Sequence, residues 1–246
     1  MYDVAAKIRT DAGKPADRSA LMREALHDAI VEHRLKPGTK LVEEEIGQFF
    51  GVSRTVARAV LQALSFEGLV TIERNRGAFV AQPSPDEARA IFIARRMIEP
   101  QLVASAAQTI TTKALDRLDR HLDQELRLAA TAGSRARREE IRLAGQFHIE
   151  LATLAGNPVL LKFLKELIAR SSLVTARFGR CGRSSCNCDD HAKVAQALRQ
   201  NRPDQAMALM LRHIGQIEAD LDYEDPPRSD LQEALADVLE SGRSAG

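Results

Sequence analysis

The sequence lacks tryptophan entirely, and aromatic residues make up only 4% of its 246 residues. It also lacks a run of about 18 apolar residues, which a membrane-spanning helix needs. The first residues carry charges and leave no apolar segment for a signal peptide. These absences predict a cytoplasmic protein with no membrane partner, whose three cysteines are reduced.

An excess of charge of one sign is absent too, because 35 basic and 34 acidic residues leave a net charge of +1. The whole chain is therefore not a polycation that coats nucleic acid, and any contact with DNA has to come from a local patch. The hydrophobic share of 44% is sufficient for a core. Leu- and Ala-rich periodic sequence predicts a mainly α-helical protein.

Several local signals coincide in the stretch 51–80. Gly51 suits the left-handed end of one helix, and Ser53 is a good N-cap for the next. Within that second helix, apolar residues at helical spacing form one stripe, while polar residues form another face. The polar residues are Arg54, Thr55, Arg58 and Gln62.

Two short strands are predicted after this helix, over 69–73 and 78–80, with a tight turn at Arg76 and Gly77. A helix that follows another helix and a short turn fits the major groove of duplex DNA. Arginine is also the commonest side chain that contacts guanine edges. The alternative is a solvated helix followed by an unrelated hairpin, but the coincidence of these signals favours DNA binding.

The periodicity before residue 84 completes a winged helix-turn-helix, and the periodicity after it indicates helices alone. Helices are predicted over 18–33 and 43–50, with a short strand at 41–42 between them. After residue 84, which begins a capping box of Ser, Pro and Glu, about six helices with short connections are expected, as in a helical bundle. The predicted fold is mainly α: a winged helix-turn-helix followed by an all-α helical bundle.

The predicted division of the chain has four parts. They are a flexible arm (1–16), a winged helix-turn-helix DNA-binding domain (17–82), a helical domain (84–222) and a C-terminal tail (223–246) with a short helix near 231–239.

Four motifs occur in order along the chain. They are PGTKLVEEEIGQFFGVSRTVARAVLQALSFEGLV with RNRGAFV, then RRMIEP, then FHIELATLAGNPVL, and finally DDHAKVAQAL with ALMLRHI. Together they resemble the GntR family of transcription regulators, in the subclass with an FCD domain. The resemblance implies a homodimeric regulator, most simply a repressor, that binds a palindromic operator in double-stranded DNA. It also implies that the helical domain (84–222) is a ligand-sensing bundle, which binds a small-molecule effector and forms the dimer.

In this family the two arginines of the SR…R pattern contact operator DNA, and the turn of the wing reaches toward the minor groove. Glu44 stands where many relatives have a basic DNA-contacting residue, which leaves the operator preference open. The predicted DNA-binding residues are Ser53, Arg54, Thr55, Arg58, Arg76 and Gly77.

Many members of the family hold a divalent metal through one Asp and three His, and the metal helps to bind a small carboxylate. The three His correspond to His148, His191 and His213. One turn before the first His, where the family has Asp, this chain has Ala144. Three imidazoles can still bind Zn, Ni or a related ion when water or a ligand completes the shell. Alternatively, the metal has been lost and a His-lined effector pocket remains.

A further residue, Arg95, matches an arginine that faces the effector cavity in relatives, where a guanidinium can hold a carboxylate bidentately. Glu99 follows it by four residues, so the alternative is an ordinary ion pair on one helix face.

All three cysteines, Cys181, Cys186 and Cys188, lie just before His191. One hypothesis is that Cys186 or Cys188 supplies the missing metal ligand, and another is that the cluster senses oxidants. The third interpretation is a loop with reduced thiols. The neighbouring Asp189 and Asp190 are expected to stabilise a helix N-terminus through its dipole (Asp190 directly precedes His191).

Two rival functions use the same residues. A metal-dependent hydrolase built on the three His would need an open ligand position and usually a general base. The sequence supplies no clear base, so it predicts that the chain is not an enzyme. A ligand-binding bundle whose winged helix docks a protein is the other rival.

Overall fold

The computed structural model describes residues 15–131, 134–179 and 188–223. Most of the predicted arm, the tail beyond Tyr223, and Cys181 and Cys186 lie outside these residues. Among the residues described, no helix is long and apolar enough to cross a membrane. The mainly α-helical class predicted from the sequence is confirmed.

The first part of the chain is a winged helix-turn-helix, here called the winged domain (residues 15–81). It contains three helices and a three-stranded antiparallel sheet in the order β1–β3–β2. The elements are α1 (Pro15–Val31), β1 (Lys40–Leu41), α2 (Glu43–Phe50), α3 (Arg54–Phe66), β2 (Val70–Glu73) and β3 (Gly77–Val80). The strand bounds differ from the predicted ones by one residue.

Helix α1 begins at Pro15, close to the predicted end of the arm (1–16). Proline is tolerated in the first turn of a helix, where its missing N–H would have no helical partner. The predicted division of the chain into an arm and domains stays a prediction.

Local chemistry explains the turn before α3. Gly51 adopts a left-handed conformation with φ of 65°, and its N–H bonds back to α2. The hydroxyl of Ser53 then accepts from the N–H of Val56 at 3.3 Å and caps α3. The apolar stripe of α3 packs into the core of the winged domain; it comprises Ala57, Val60, Leu61 and Leu64.

The second part is the helical bundle (residues 85–219), which contains the six predicted helices within its described residues. They are α4 (Pro85–Thr109), α5 (Thr112–Ala129), α6 (Ser134–Leu154), α7 (Pro158–Phe178), α8 (Cys188–Arg199) and α9 (Pro203–Ala219). Ser84 caps α4 by accepting from the N–H of Glu87 at 3.1 Å. The expected capping box is only half observed, because the Glu87 carboxylate accepts from Arg170 at 2.5 Å.

Helix α7 belongs to both domains. Its residues Ala169 and Leu173 lie in the hydrophobic core of the winged domain, whereas Val174 and Phe178 lie in the main core of the bundle. Polar contacts reinforce this packing: the hydroxyl of Ser172 donates to the carbonyl of Val31 at the end of α1. The winged domain is thus packed directly on a bundle helix.

Candidate DNA-binding surface and effector site

The two arginines predicted to contact DNA lie exposed on α3. The side chains of Arg54 and Arg58 retain 69% and 54% of their accessible surface. Both are held by one carboxylate from α2: Glu43 accepts from Arg54 Nε at 2.8 Å and from Arg58 Nε and Nη2 at 2.8 and 2.9 Å. These hydrogen bonds, with that of Arg58 the stronger influence, lower the pKa of Glu43 to about 2.

The sequence pattern of α3 did not indicate Glu43, because periodicity along one helix does not show which residues of α2 lie beside it. The helix-turn-helix bend places the start of α2 beside the start of α3, although Glu43 and Arg58 are 15 residues apart. The surface is therefore not free cationic charge but two guanidinium groups oriented by one carboxylate.

The remaining predicted DNA-binding residues surround the turn and the wing. Thr55 is exposed at the first turn of α3, next to the cap Ser53. In the wing, Arg76 is exposed and pairs with Glu73. Gly77 has a φ of 103°, a backbone conformation that residues with a side chain rarely adopt, so glycine suits this turn.

The three predicted metal-binding histidines come together inside the bundle. His148 lies on α6, His191 on α8 and His213 on α9, and all three are buried. One nitrogen from each lies within 4.8 Å of the others. Nε2 of His191 and Nε2 of His213 are 3.1 Å apart. Two nitrogens bound to one first-row ion lie about 3.0–3.4 Å apart, given bonds of about 2.0–2.1 Å.

Carboxylates lie on the outer side of these imidazoles. Nδ1 of His148 donates to Glu99 Oε2 at 2.5 Å, and Nδ1 of His191 donates to Glu125 Oε2 at 2.9 Å. Burial opposes ionisation of both carboxyl groups. For Glu99 the nearby Arg95 and His148 outweigh it, and for Glu125 the hydrogen bonds of the neighbouring imidazoles do, so the pKa of each is about 2. Both outer carboxylates are therefore ionised.

Burial holds two of the three histidines neutral: it lowers the pKa of His148 and lowers that of His213 well below its usual value. Neutral imidazole is the form that binds a metal. These two rings can thus offer lone pairs without first losing protons.

The position of Arg95 is compatible with both interpretations of the sequence, an arginine that faces the effector cavity and an ion pair with Glu99. Its Nε donates to Glu99 Oε1 at 2.5 Å, so the ion pair exists, but it is buried in the bundle rather than on the surface. Its Nη2 lies 3.5 Å from Nε2 of His148. The neighbouring Arg96 points away and pairs with Glu218.

A cleft of about 1260 Å³ connects this cluster with the winged domain. Arg95, Ala144 and His148 line it from the bundle. From the winged domain, Arg23 of α1 and Phe66 at the end of α3 line it as well. A molecule in this cleft would therefore contact both domains, and the position of the missing Asp faces it.

The cysteine hypotheses are not tested by these contacts. Cys181 and Cys186 lie outside the described residues, and Cys188 is described only as the first residue of α8. Asp190 is in the first turn of α8, as predicted, but it is buried, bonds to Lys193 at 3.1 Å and faces His213.

The sequence interpretation overlooked two further residues of the cluster, Glu125 and Phe147. The Phe147 ring stacks on His191 with centroids 4.1 Å apart. One signal for Glu125 was present: it continues the buried stripe of α5 (Ala114, Leu118, His121 and Leu122) at helical spacing. A carboxylate within an apolar stripe usually has a buried partner.

Comparison with known proteins decides the family. The profile of the FCD domain matches residues 90–216, and that of bacterial regulatory proteins of the gntR family matches residues 20–80. The chain belongs to the GntR family. It carries an FCD domain, and as a member it is a DNA-binding transcription regulator rather than an enzyme.

Curated relatives of this GntR-family regulator carry matching names. The Nta operon transcriptional regulator of Aminobacter aminovorans is 27% identical over 185 residues, which cover 75% of this chain and 85% of that protein. The HTH-type transcriptional repressor NanR of Cronobacter sakazakii is 27% identical over 223 residues, with 81% and 83% covered. The solved structure of E. coli McbR/YncC shares the fold, with a TM-score of 0.73 at 16% identity, over 82% of this chain and 95% of that one. The hydrolase alternative has no support among these proteins.

Proposed function

We propose that this GntR-family regulator binds a palindromic operator as a homodimer and represses transcription until a small carboxylate effector binds. The effector would lie in the cleft, against Arg95 and a divalent metal held by His148, His191 and His213. The observation that carries the proposal is that one cleft is lined by two of these buried residues, Arg95 and His148, and by residues of the winged domain.

The exposed face of α3 supports the DNA-binding part. The guanidinium groups of Arg54 and Arg58 are accessible and lie near the start of a helix that fits the major groove. Two copies related by a twofold axis would present two such helices to the two halves of a palindrome. Exposed apolar residues one turn apart on α4, Ile93 and Met97, support coverage by a second copy.

The donor set supports the metal. Three buried imidazoles suit Zn, Ni and related ions. Nδ1 of His213 is buried without a hydrogen-bond partner among the described residues, as expected of a ring whose arrangement is completed by a bound group. When bound, the metal would supply a positive charge that attracts the effector carboxylate, and Arg95 would donate to the same anion.

Helix α7 supports the coupling between effector and DNA. Ile168 lines the cleft and packs in a bundle cluster, while the next residue, Ala169, packs in the core of the winged domain. An effector can change operator binding only if it binds one relative arrangement of the domains more tightly than the other. A cleft between the domains provides such a difference.

Selection of duplexes from a random library by the purified protein tests DNA recognition. We expect an enriched palindrome, and we expect Arg58→Ala to weaken binding to it about 10- to 100-fold if the arginine contacts a base edge. The matched control is Arg120→Ala, which removes an exposed arginine on α5. No enriched sequence would favour the rival function of docking a protein, and equal losses in the two variants would remove Arg58 from the interface.

Metal and effector are tested separately. Elemental analysis of the purified protein, followed by titration of chelator-treated protein with Zn²⁺ and Ni²⁺, measures whether the three His bind an ion. Thermal-shift screening of small carboxylates with and without metal then measures effector binding. Failure of both ions to bind would refute the metal and leave a His-lined pocket.

A further inference from the structure

We infer that Glu125 is a positioning residue of the metal site: it fixes His191 for metal binding from outside the ligand set. The inference rests on the metal site of the proposed function. It assigns Glu125 a positioning role, because the residue reaches the cluster only through His191.

The contacts of Glu125 are those of a partner to a metal ligand. It is fully buried, with 0% of its surface exposed, and its two oxygens lie 2.9 and 3.1 Å from Nδ1 of His191. An ionised carboxylate only accepts hydrogen bonds, so Nδ1 carries the proton and Nε2 keeps its lone pair. Phe147 stacks on the same ring and fixes its plane. Nε2 of His191 is thereby aimed at His213.

A second histidine holds Glu125 in place. Nε2 of His121 lies 3.2 Å from Glu125 Oε1 and 3.0 Å from the carbonyl of Leu143. Leu143 directly precedes Ala144, so the network built on Glu125 reaches the backbone beside the missing Asp. The carboxylate and the vacant position are structurally linked.

A carboxylate lies near Nδ1 of all three ligands, within hydrogen-bond distance at His148 and His191 and 3.7 Å away at His213. Each imidazole has a carboxylate on its Nδ1 side, supplied from a different helix. The pairs are Glu99 of α4 with His148 of α6, Glu125 of α5 with His191 of α8, and Asp190 of α8 with His213 of α9. Such outer carboxylates orient metal-binding histidines and raise their basicity, and their loss typically lowers metal affinity about 10- to 100-fold.

Charge supports this assignment. A divalent ion and Arg95 bring three positive charges into a buried site, and the three outer carboxylates bring three negative charges. The ligand set itself, three neutral imidazoles, carries none. Ala144 lines the cleft, so the place of the missing carboxylate is left open toward it for an anionic ligand.

The surroundings of His213 indicate how its outer carboxylate, Asp190, would take part when a metal binds. With Nδ1 of His191 bonded to Glu125, we expect Nε2 of His213 to donate to Nε2 of His191 across the 3.1 Å that separates them. Nδ1 of His213 would then carry no proton; it has no hydrogen-bond partner among the described residues and lies 3.7 Å from Asp190 Oδ2. A metal held by Nε2 would leave the single proton of the ring on Nδ1, whose N–H could donate to Asp190.

The test measures metal affinity of the full-length protein by competition with a chromogenic chelator, using Zn²⁺ alone. We expect Glu125→Gln to weaken Zn²⁺ binding about 10- to 100-fold. Ala144→Asp should offset this loss in the Glu125→Gln background, because it would supply a carboxylate ligand on the open side of the site. The control Asp123→Asn, an exposed acid on the same helix, should leave the affinity unchanged.

Two further readouts separate positioning from folding. Circular dichroism of the metal-free variants checks that they remain folded. In the unsubstituted protein, imidazole nitrogen NMR should show His213 protonated at Nε2 without metal and at Nδ1 with Zn²⁺. Unchanged affinity in folded Glu125→Gln, a loss that Ala144→Asp does not offset, or a His213 tautomer that does not change would each overturn the inference. Absence of Zn²⁺ binding by the unsubstituted protein would refute the metal of the proposed function as well.

Discussion

Leu173 allows a direct test of how the winged domain is attached to the bundle. It lies on the bundle helix α7, yet its side chain is 0% exposed and packs in the core of the winged domain. Leu→Ala changes at fully buried sites cost about 2.7–5 kcal/mol, because a cavity remains where the side chain was. We therefore expect Leu173→Ala to lower the free energy of local opening of the winged domain by about 3 kcal/mol.

Hydrogen exchange followed by mass spectrometry measures this effect. A loss of about 3 kcal/mol corresponds to about 100-fold faster exchange of protected amides in residues 54–80. The matched control is Leu164→Ala on the same helix, which is 1% exposed but packs in a bundle cluster with Leu102 and Ile168. It should accelerate exchange in the bundle and spare residues 54–80. Unchanged exchange in those residues for Leu173→Ala, or equal acceleration by both variants, would refute the role of α7 as a shared helix.

Two other predictions concern single charged groups. Glu43→Gln should strengthen binding to a scrambled duplex several-fold in fluorescence anisotropy, because it releases Arg54 and Arg58 to contact phosphates. The control Glu44→Gln changes the net charge equally, but the Glu44 carboxylate accepts a hydrogen bond from Gln48 rather than from an arginine. An equal gain in both variants would mean that net charge is the cause. His121 is buried, which opposes protonation, but Glu125 outweighs this and raises its pKa. The folded protein therefore keeps His121 protonated at pH values where the unfolded chain has already lost this proton, above about pH 6.5. The protonated imidazole stabilises the fold fully at lower pH, and this contribution is lost as pH rises through the raised pKa of the folded state. It amounts to about 1.4 kcal/mol for each unit by which the pKa is raised. Urea unfolding of metal-free protein should show a larger cost of His121→Gln at pH 6 than at pH 8.5, and equal costs would contradict the assignment.

Much of the winged domain could be predicted from the sequence because its signals are local. Gly51 and Ser53 define the turn through their own backbone and side-chain chemistry, within a few residues. The amphipathic spacing of α3 then determines which face is buried, so the exposure of Arg54 and Arg58 followed from periodicity. Their pairing with Glu43 did not, because it depends on the angle between two helices.

Less of the candidate effector site could be predicted from the sequence, because its contacts join residues that are far apart in the chain. Motif positions identified His148, His191 and His213, and helical spacing identified the pair of Arg95 with Glu99. Nothing local indicated that Glu99 also bonds to a histidine 49 residues away. The actual domain boundaries, the operator and the effector remain predictions.

The sequence by itself therefore determined the helices and strands, their caps and their apolar faces, and the residue types that could contact DNA or a metal. These features depend on neighbours within one or two helical turns. Only the tertiary structure decided which buried charges meet. His191 and Glu125 are 66 residues apart and bond because α5 and α8 pack together. The cleft between the winged domain and the bundle exists for the same reason: α7 fills both cores, and no local pattern specifies which core a buried leucine joins.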